Sequence, residues 1–280
     1  VNFITNNKIP VGEWMETGVD WLTLNAAGFF DAISIFLETV ILFVVDIFKW
    51  MPPALPIVLT AAIAWYLHRS IPLVIFVVGA LLTILNLGYW QEMLETFVLV
   101  FAATTISVLI GVPIGIMAAH RPWLYTLLRP VLDLMQTVPT FVYLIPTLVL
   151  FGLGIVPGLI STIIFAIAAP IRLTYLGMTK VPEELIEAGK AFGASRMKLL
   201  FKVELPAAMP SIMAGVTQCI MLSLSMVVIA ALVGADGLGK PVVRALNTVN
   251  ISQGFEAGLA IVLVAIILDR LCKTPNQKEA

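Results

Sequence analysis

The sequence predicts an all-α membrane protein of about seven transmembrane helices, and three observations carry that prediction. Of the 280 residues 60% are hydrophobic and only 12% are charged, whereas soluble domains run nearer half apolar and a quarter charged. Mean hydropathy is +1.03. Long charge-free windows recur along the chain, and a membrane helix needs about 20 apolar residues. Lipid is therefore the solvent for most of the surface. A net charge of −1 gives no footprint for nucleic acid.

The elements follow in order. Residues 1–10 are polar and lack the apolar core of a cleavable signal peptide. In 11–48, Asp20, Asp31, Glu38 and Asp46 recur between apolar stretches, the last three on one helical face. Acids are costly at the bilayer centre. The segment is expected as one or two amphipathic helices on the outer surface, the alternative being an eighth span with its acids packed inward. Residues 1–50 thus form an N-terminal outer-surface segment, 51–271 a transmembrane domain and 272–280 a cytoplasmic tail. Within 51–271, windows at 50–67, 70–91 and 96–119 predict three spans. Window 134–171 is too long for one span and is split by the loop signal Gly152-Leu153-Gly154 through Pro157-Gly158. Further spans are predicted in 205–235 and 255–271, which makes seven. Trp14, Trp21, Trp50 and Trp90 fall at the outer edge and Trp65 and Trp123 at the inner one, as interfacial anchors.

Orientation follows Lys and Arg. With the 183–202 loop in the cytoplasm, twelve basic residues lie inside and four outside (Lys8, Lys49, Lys240 and Arg244). The N-terminus is then outside and the C-terminus inside.

The 181–206 loop concentrates charge in a chain otherwise nearly bare of it. Pro182 suits the start of a helix, and Glu183, Glu184 and Glu187 suit its positive end. Gly193 can take a positive φ and stop that helix. Ser195 is a good N-cap for a second, with Lys198 and Lys202 toward its negative end. A solvated loop stabilised by its own charges would read the same way; two rigid helices with small residues at their bend would also form a docking surface.

The spacing favours docking. Glu187-Ala188-Gly189, three residues, Gly193, nine residues, Val203, one residue, Leu205-Pro206 resembles the E-A-A–x3–G–x9–I–x–L–P signature of permease subunits of binding-protein-dependent ABC importers. Gly189 stands where that signature has Ala, and Val203 where it has Ile. The stretches 132–146, Phe192-Gly193-Ala194-Ser195 and 222–230 are similar to permeases for glycine betaine, proline betaine and choline, a likeness covering most of the chain after Met51. The resemblance implies a type I ABC importer permease fold in a bacterial plasma membrane, as a multi-pass homodimer. It implies that the loop, through Glu187, Ala188, Gly189, Gly193, Ser195, Val203, Leu205 and Pro206, couples to a cytoplasmic ATPase subunit. It also implies an extracytoplasmic quaternary-amine-binding protein as a partner. The chain has no G-x-x-x-x-G-K-[ST] loop, so ATP and Mg belong to the partner and no residue here is catalytic.

Broken helices and polar residues at mid-membrane depth mark a pathway. Candidates are Gln136, Thr137, Thr140, Phe141 and Tyr143 beside Pro139 and Pro146, and Gln218, Ser223, Ser225 and Met226 after the loop. Aromatic faces such as Phe141 and Tyr143 suit a quaternary ammonium, which has no N–H to donate; each residue read alone is equally well helix packing. Pro113 between Gly111 and Gly115 predicts a kink and a close-packed face. Asp133 is four residues from Arg129 and is expected to pair with it. Cys219 and Cys272 read as reduced and structural, without metal spacing, and His68 and His120 as interfacial. The competing function is an ion-coupled secondary transporter, which requires intramembrane carboxylates and an internal repeat; neither is evident.

Overall fold

The computed structural model describes residues 10–273. The expected placements of residues 1–9, Lys8 among them, and of Lys278 in the tail lie outside the described residues. Among the described residues the chain is helical without strands. In order the helices are α1 (Val11–Trp50), α2 (Ala54–His68), α3 (Ile71–Asn86), α4 (Trp90–His120), α5 (Pro122–Thr137), α6 (Leu144–Phe151), α7 (Ile155–Ala166), α8 (Ala168–Thr179), α9 (Glu183–Ala191), α10 (Arg196–Leu199), α11 (Leu205–Ala230), α12 (Gly239–Thr248) and α13 (Ile251–Cys272).

Among the described residues five runs are long and apolar enough to cross a membrane, one of them α1, which was not among the seven expected spans, and six if the bent pair α5–α6 is one span. The expected seven differs for physical reasons. Helices α2 and α3, of 15 and 16 residues, rise only ~22–24 Å, short of the ~30 Å hydrocarbon core. They form a hairpin turning at Arg69, whose φ is 47°. The 134–171 window does divide at Gly152–Gly154, where both glycines have positive φ. Its first half is bent by 107° at Val138-Pro139, since neither proline position nor its predecessor sustains a helix.

The core is built by α4, α7, α8 and α11, with α11 packed along α8 and α7 and α4 along α8. Small residues set how closely these helices approach. A Cβ at Gly111 would sit 3.0 Å from Pro170 Cγ, and one at Gly115 2.7 Å from Ile171 O. The expected close-packed face is thus α4 against α8. Pro113 sits inside α4, which runs unbroken from Trp90 to His120; no interruption marks the expected kink.

One end of the bundle carries α9 and α10, and there α4 ends at His120, bonded to Glu204. At the far end the start of α4 meets the loop after α11, where Leu238 N donates to Thr96 Oγ1 at 2.8 Å. Helix α1 belongs to this far end. Phe48 packs edge-on to Phe97 and Phe30 to Phe151, and Lys49 bonds Glu95 at 2.6 Å. Phe151 lies three residues before Gly154, whose N–H bonds Val233 O in the far-end loop. Phe30 and Phe48 are ~27 Å apart along a helix, yet both touch far-end residues, so this stretch runs along the edge of the bundle. It has three faces. Leu37, Ile41, Val44, Val45 and Phe48 pack on the core. Phe29, Phe36, Val40, Phe43 and Ile47 form an exposed apolar stripe. Asp31, Glu38 and Asp46 are exposed, so none is packed inward. At Ala26 the backbone leaves helical geometry (φ −127°, ψ 15°), so the stretch is two helical segments joined at a kink.

Candidate functional site

The 181–206 segment projects from the bundle. No residue of α9 is buried, and Phe192, at its C-terminus, is 92% exposed. Glu183 and Glu184 occupy the first turn and Lys190 the last, matching the helix dipole. Gly193 has φ 73°, the left-handed conformation that a C-terminal stop requires. Ser195 Oγ accepts from Lys198 N at 3.4 Å, the expected cap. Gly189 faces the second helix: a Cβ there would lie 2.6 Å from Leu199 Cδ1 and 3.6 Å from Val203 Cγ2. Small residues at 188–189 therefore let α9 fold back onto the arm that carries Val203.

That arm is longer than the sequence suggests. After α10 the chain does not stop; residues Leu200–Glu204 form a π-helical turn that runs directly into α11. Leu205 and Pro206 open α11 in its first turn, where a proline's missing N–H costs nothing. The helical run Arg196–Val233 is 38 residues long. The end of the projecting segment and a central membrane helix are thus one rod.

Two partners at this end were not foreseen. Glu204 is 7% exposed and its carboxylate meets His120 Nε2 at 2.9 Å, while His120 Nδ1 faces Ile116 O, also at 2.9 Å. Both ring nitrogens thus face oxygen atoms of the protein. The pair ties the π turn to the end of α4. Asp133 pairs with Arg172 at 2.6 Å, not with Arg129 as its spacing suggested, and joins α5 to α8. Nearby, Tyr125 stacks on Tyr175 with ring centroids 3.5 Å apart.

The pathway candidates separate into two groups. Thr137, Thr140, Phe141 and Tyr143 form the bend between α5 and α6, which packs against α11. Tyr143 holds the bend by donating to Met135 O at 2.7 Å, and Thr137 bonds Leu134 O at 3.3 Å. Phe141 is 59% exposed, and Gln136 is half-buried. On α11, Gln218 and Ser225 are exposed, and they share one stripe with Met221. Ser223 and Met226 point into the protein and are fully buried, so they line the interior and not that stripe. Ser225 spends its hydroxyl on Met221 O at 3.0 Å, a local backbone bond.

A family model described as "Binding-protein-dependent transport system inner membrane component" matches residues 111–272, the stretch that holds the projecting loop and both pathway groups. The chain is 45% identical over 97% of its length to the glycine betaine transport system permease protein OpuAB of Bacillus subtilis strain 168, covering 96% of it. It is 44% identical over 96% of its length to the glycine betaine/carnitine transport permease protein GbuB of Listeria monocytogenes, again covering 96%. It is 41% identical over 94% of its length to the glycine betaine/proline betaine permease protein ProW of Escherichia coli K12, covering 74% of that protein. Among solved structures, the MetNI methionine ABC transporter in an inward-facing conformation superposes with a TM-score of 0.56 at 25% identity. That superposition covers 64% of this chain and 91% of the other.

Proposed function

The chain belongs to the binding-protein-dependent transport system inner membrane components, and from that membership we propose that it imports glycine betaine and related quaternary amines. It is a transport component of a bacterial plasma membrane and not an enzyme. In this reading it works as a homodimer, with ATP and Mg held by two cytoplasmic ATPase subunits and the solute delivered by an extracytoplasmic binding protein. The end bearing α9 faces the cytoplasm, and α1 lies along the outer face.

The observation that carries the proposal is the continuous rod. Helix α9 is exposed, seated on α10 through Gly189, and α10 passes through the π turn into α11 without a break. A displacement imposed on α9 by closing ATPase subunits moves α11 with it, and Glu204–His120 passes the same motion to α4. The bend at Thr137–Tyr143 packs on α11 and shifts when α11 does. The surface of α11 bearing Gln218 and Ser225, together with Phe141 of the bend, is the transient pathway; strong recognition resides in the binding protein. The ion-coupled alternative finds no support in the relatives, all three of which are named as permeases of transport systems.

The test is uptake by proteoliposomes holding this chain, its ATPase and its binding protein, offered labelled glycine betaine and choline separately. ATP-dependent accumulation of either is the expected result. Uptake indifferent to ATP but driven by an imposed sodium or proton gradient would overturn the proposal.

A further inference from the structure

At the far end a polar pocket of about 220 Å³ lies between the start of α4 and helix α12, lined among others by Tyr89, Glu92, Glu95, Asp236, Lys240 and Arg244. Its floor is rigid. Thr96, fully buried, accepts from Leu238 N, and Gly237 (φ 117°) brings its backbone so close that a Cβ would stand 2.6 Å from Thr96 Oγ1.

Two of the carboxylates are already satisfied. Glu95 pairs with Lys49 of α1, and Asp236 with Lys240 one turn away. Glu92 and Arg244 make no ion pair among the described residues. Both stand close to Tyr89: burial, then the charges of Glu256 and Glu92, push its hydroxyl above the usual phenol range, and Arg244 opposes them. The pocket therefore presents one unmatched anion, one unmatched cation and an aromatic ring.

We propose that this pocket is a handover site for a small zwitterion carrying a quaternary ammonium and a carboxylate. A trimethylammonium group cannot donate a hydrogen bond, so it is held by charge and by an aromatic face; Glu92 and Tyr89 supply these. A carboxylate is matched by the guanidinium of Arg244, which presents a fork of N–H donors. A simple cation would leave Arg244 unmatched, and a simple anion would leave Glu92 so. The volume is below the ~300–1,000 Å³ of drug-sized sites, as a betaine-sized solute requires. The site lies on the side from which a binding protein would deliver solute, and this inference rests on the function proposed above.

The test uses the permease–ATPase complex in nanodiscs, without binding protein, and measures binding of labelled glycine betaine and of choline, which lacks the carboxylate. Arg244→Gln is expected to weaken glycine betaine binding by roughly tenfold to a hundredfold, the range of a charge-assisted contact, and to leave choline binding unchanged. Glu92→Gln is expected to weaken both. Arg244 is exposed, so neither folding nor insertion depends on it. Wild-type binding of both solutes by both variants would overturn the site. Uptake of glycine betaine by the wild-type importer, run alongside, separates the two failures: loss of that uptake sinks the functional reading, while retained uptake with insensitive variants sinks only the pocket.

Discussion

Two glycines with nearly equal crowding should respond in opposite ways to the same substitution. At Gly115 a Cβ would sit 2.7 Å from Ile171 O and 2.7 Å from Thr174 Cβ. Both obstacles are fixed to the backbone of α8, and no rotamer change moves them. Reaching the 3.4 Å of ordinary contact requires α4 and α8 to separate. Overpacking of this kind costs about 1–3 kcal/mol. At Gly189 the obstacle, 2.6 Å away, is Leu199 Cδ1, the free end of a flexible side chain that can rotate aside. Alanine there also gains up to ~1 kcal/mol of helix propensity. Gly115→Ala should therefore lower the thermal midpoint of the detergent-purified complex, by about 2–4 °C per kcal/mol in a chain of this size. Gly189→Ala should leave it unchanged or raise it, in keeping with the alanine that the permease signature carries at that place. Tryptophan fluorescence on heating reads both. Equal midpoints for the two variants would refute the reasoning that backbone contact decides the cost.

Other expectations follow from the same geometry. Glu187→Arg reverses a charge on the exposed face of α9 and should weaken ATPase co-purification several-fold while membrane insertion stays normal. Glu204→Ala leaves His120 without its buried partner, a loss of about 1 kcal/mol for a hydrogen bond; it should reduce transport per ATP hydrolysed, and Glu204→Gln should restore much of that ratio. Asp133→Asn opens a pair whose side chains are 33% and 54% exposed, so its effect on stability should stay within about 1 kcal/mol. Tyr143→Phe removes the bond to Met135 O and should cost ~1 kcal/mol, visible as faster proteolysis at the α5–α6 bend.

The sequence was most legible where the determinants are local. Gly193 and Ser195 stop one helix and start the next because each acts on backbone groups within a few residues, and both were readable from spacing. The same holds for Gly152–Gly154, which divide a long apolar run. Partners chosen by packing were not readable. Asp133 has a basic neighbour one turn away in Arg129, yet α8 brings Arg172 nearer, 39 residues on. His120 and Glu204 are 84 residues apart, and only the approach of the π turn to α4 joins them. Ser223 and Ser225 look alike in a span, but the phase of α11 buries one and exposes the other. The N-terminal acids revealed one or two amphipathic helices, but not that the break between two segments falls at Ala26. The hairpin α2–α3 was misjudged in length because apolar windows report lipid affinity and not where a helix turns.

The π turn at Leu200–Glu204 sets an angular relation as well as a connection. A helix advances about 100° per residue, and a π turn accommodates one residue more than an α turn would. The face that α10 shows to α9 and the stripe of α11 bearing Gln218 and Ser225 are thus offset by that extra residue. Deleting one residue from the turn would let it close to α geometry and leave the two ends in nearly the same phase, whereas deleting one from the regular helix just beyond it would rotate one end against the other by nearly a third of a revolution. In the function proposed above, a push received on α9 and α10 would then arrive on the wrong side of α11, and the π turn is the one place where the rod takes up a residue without losing that phase.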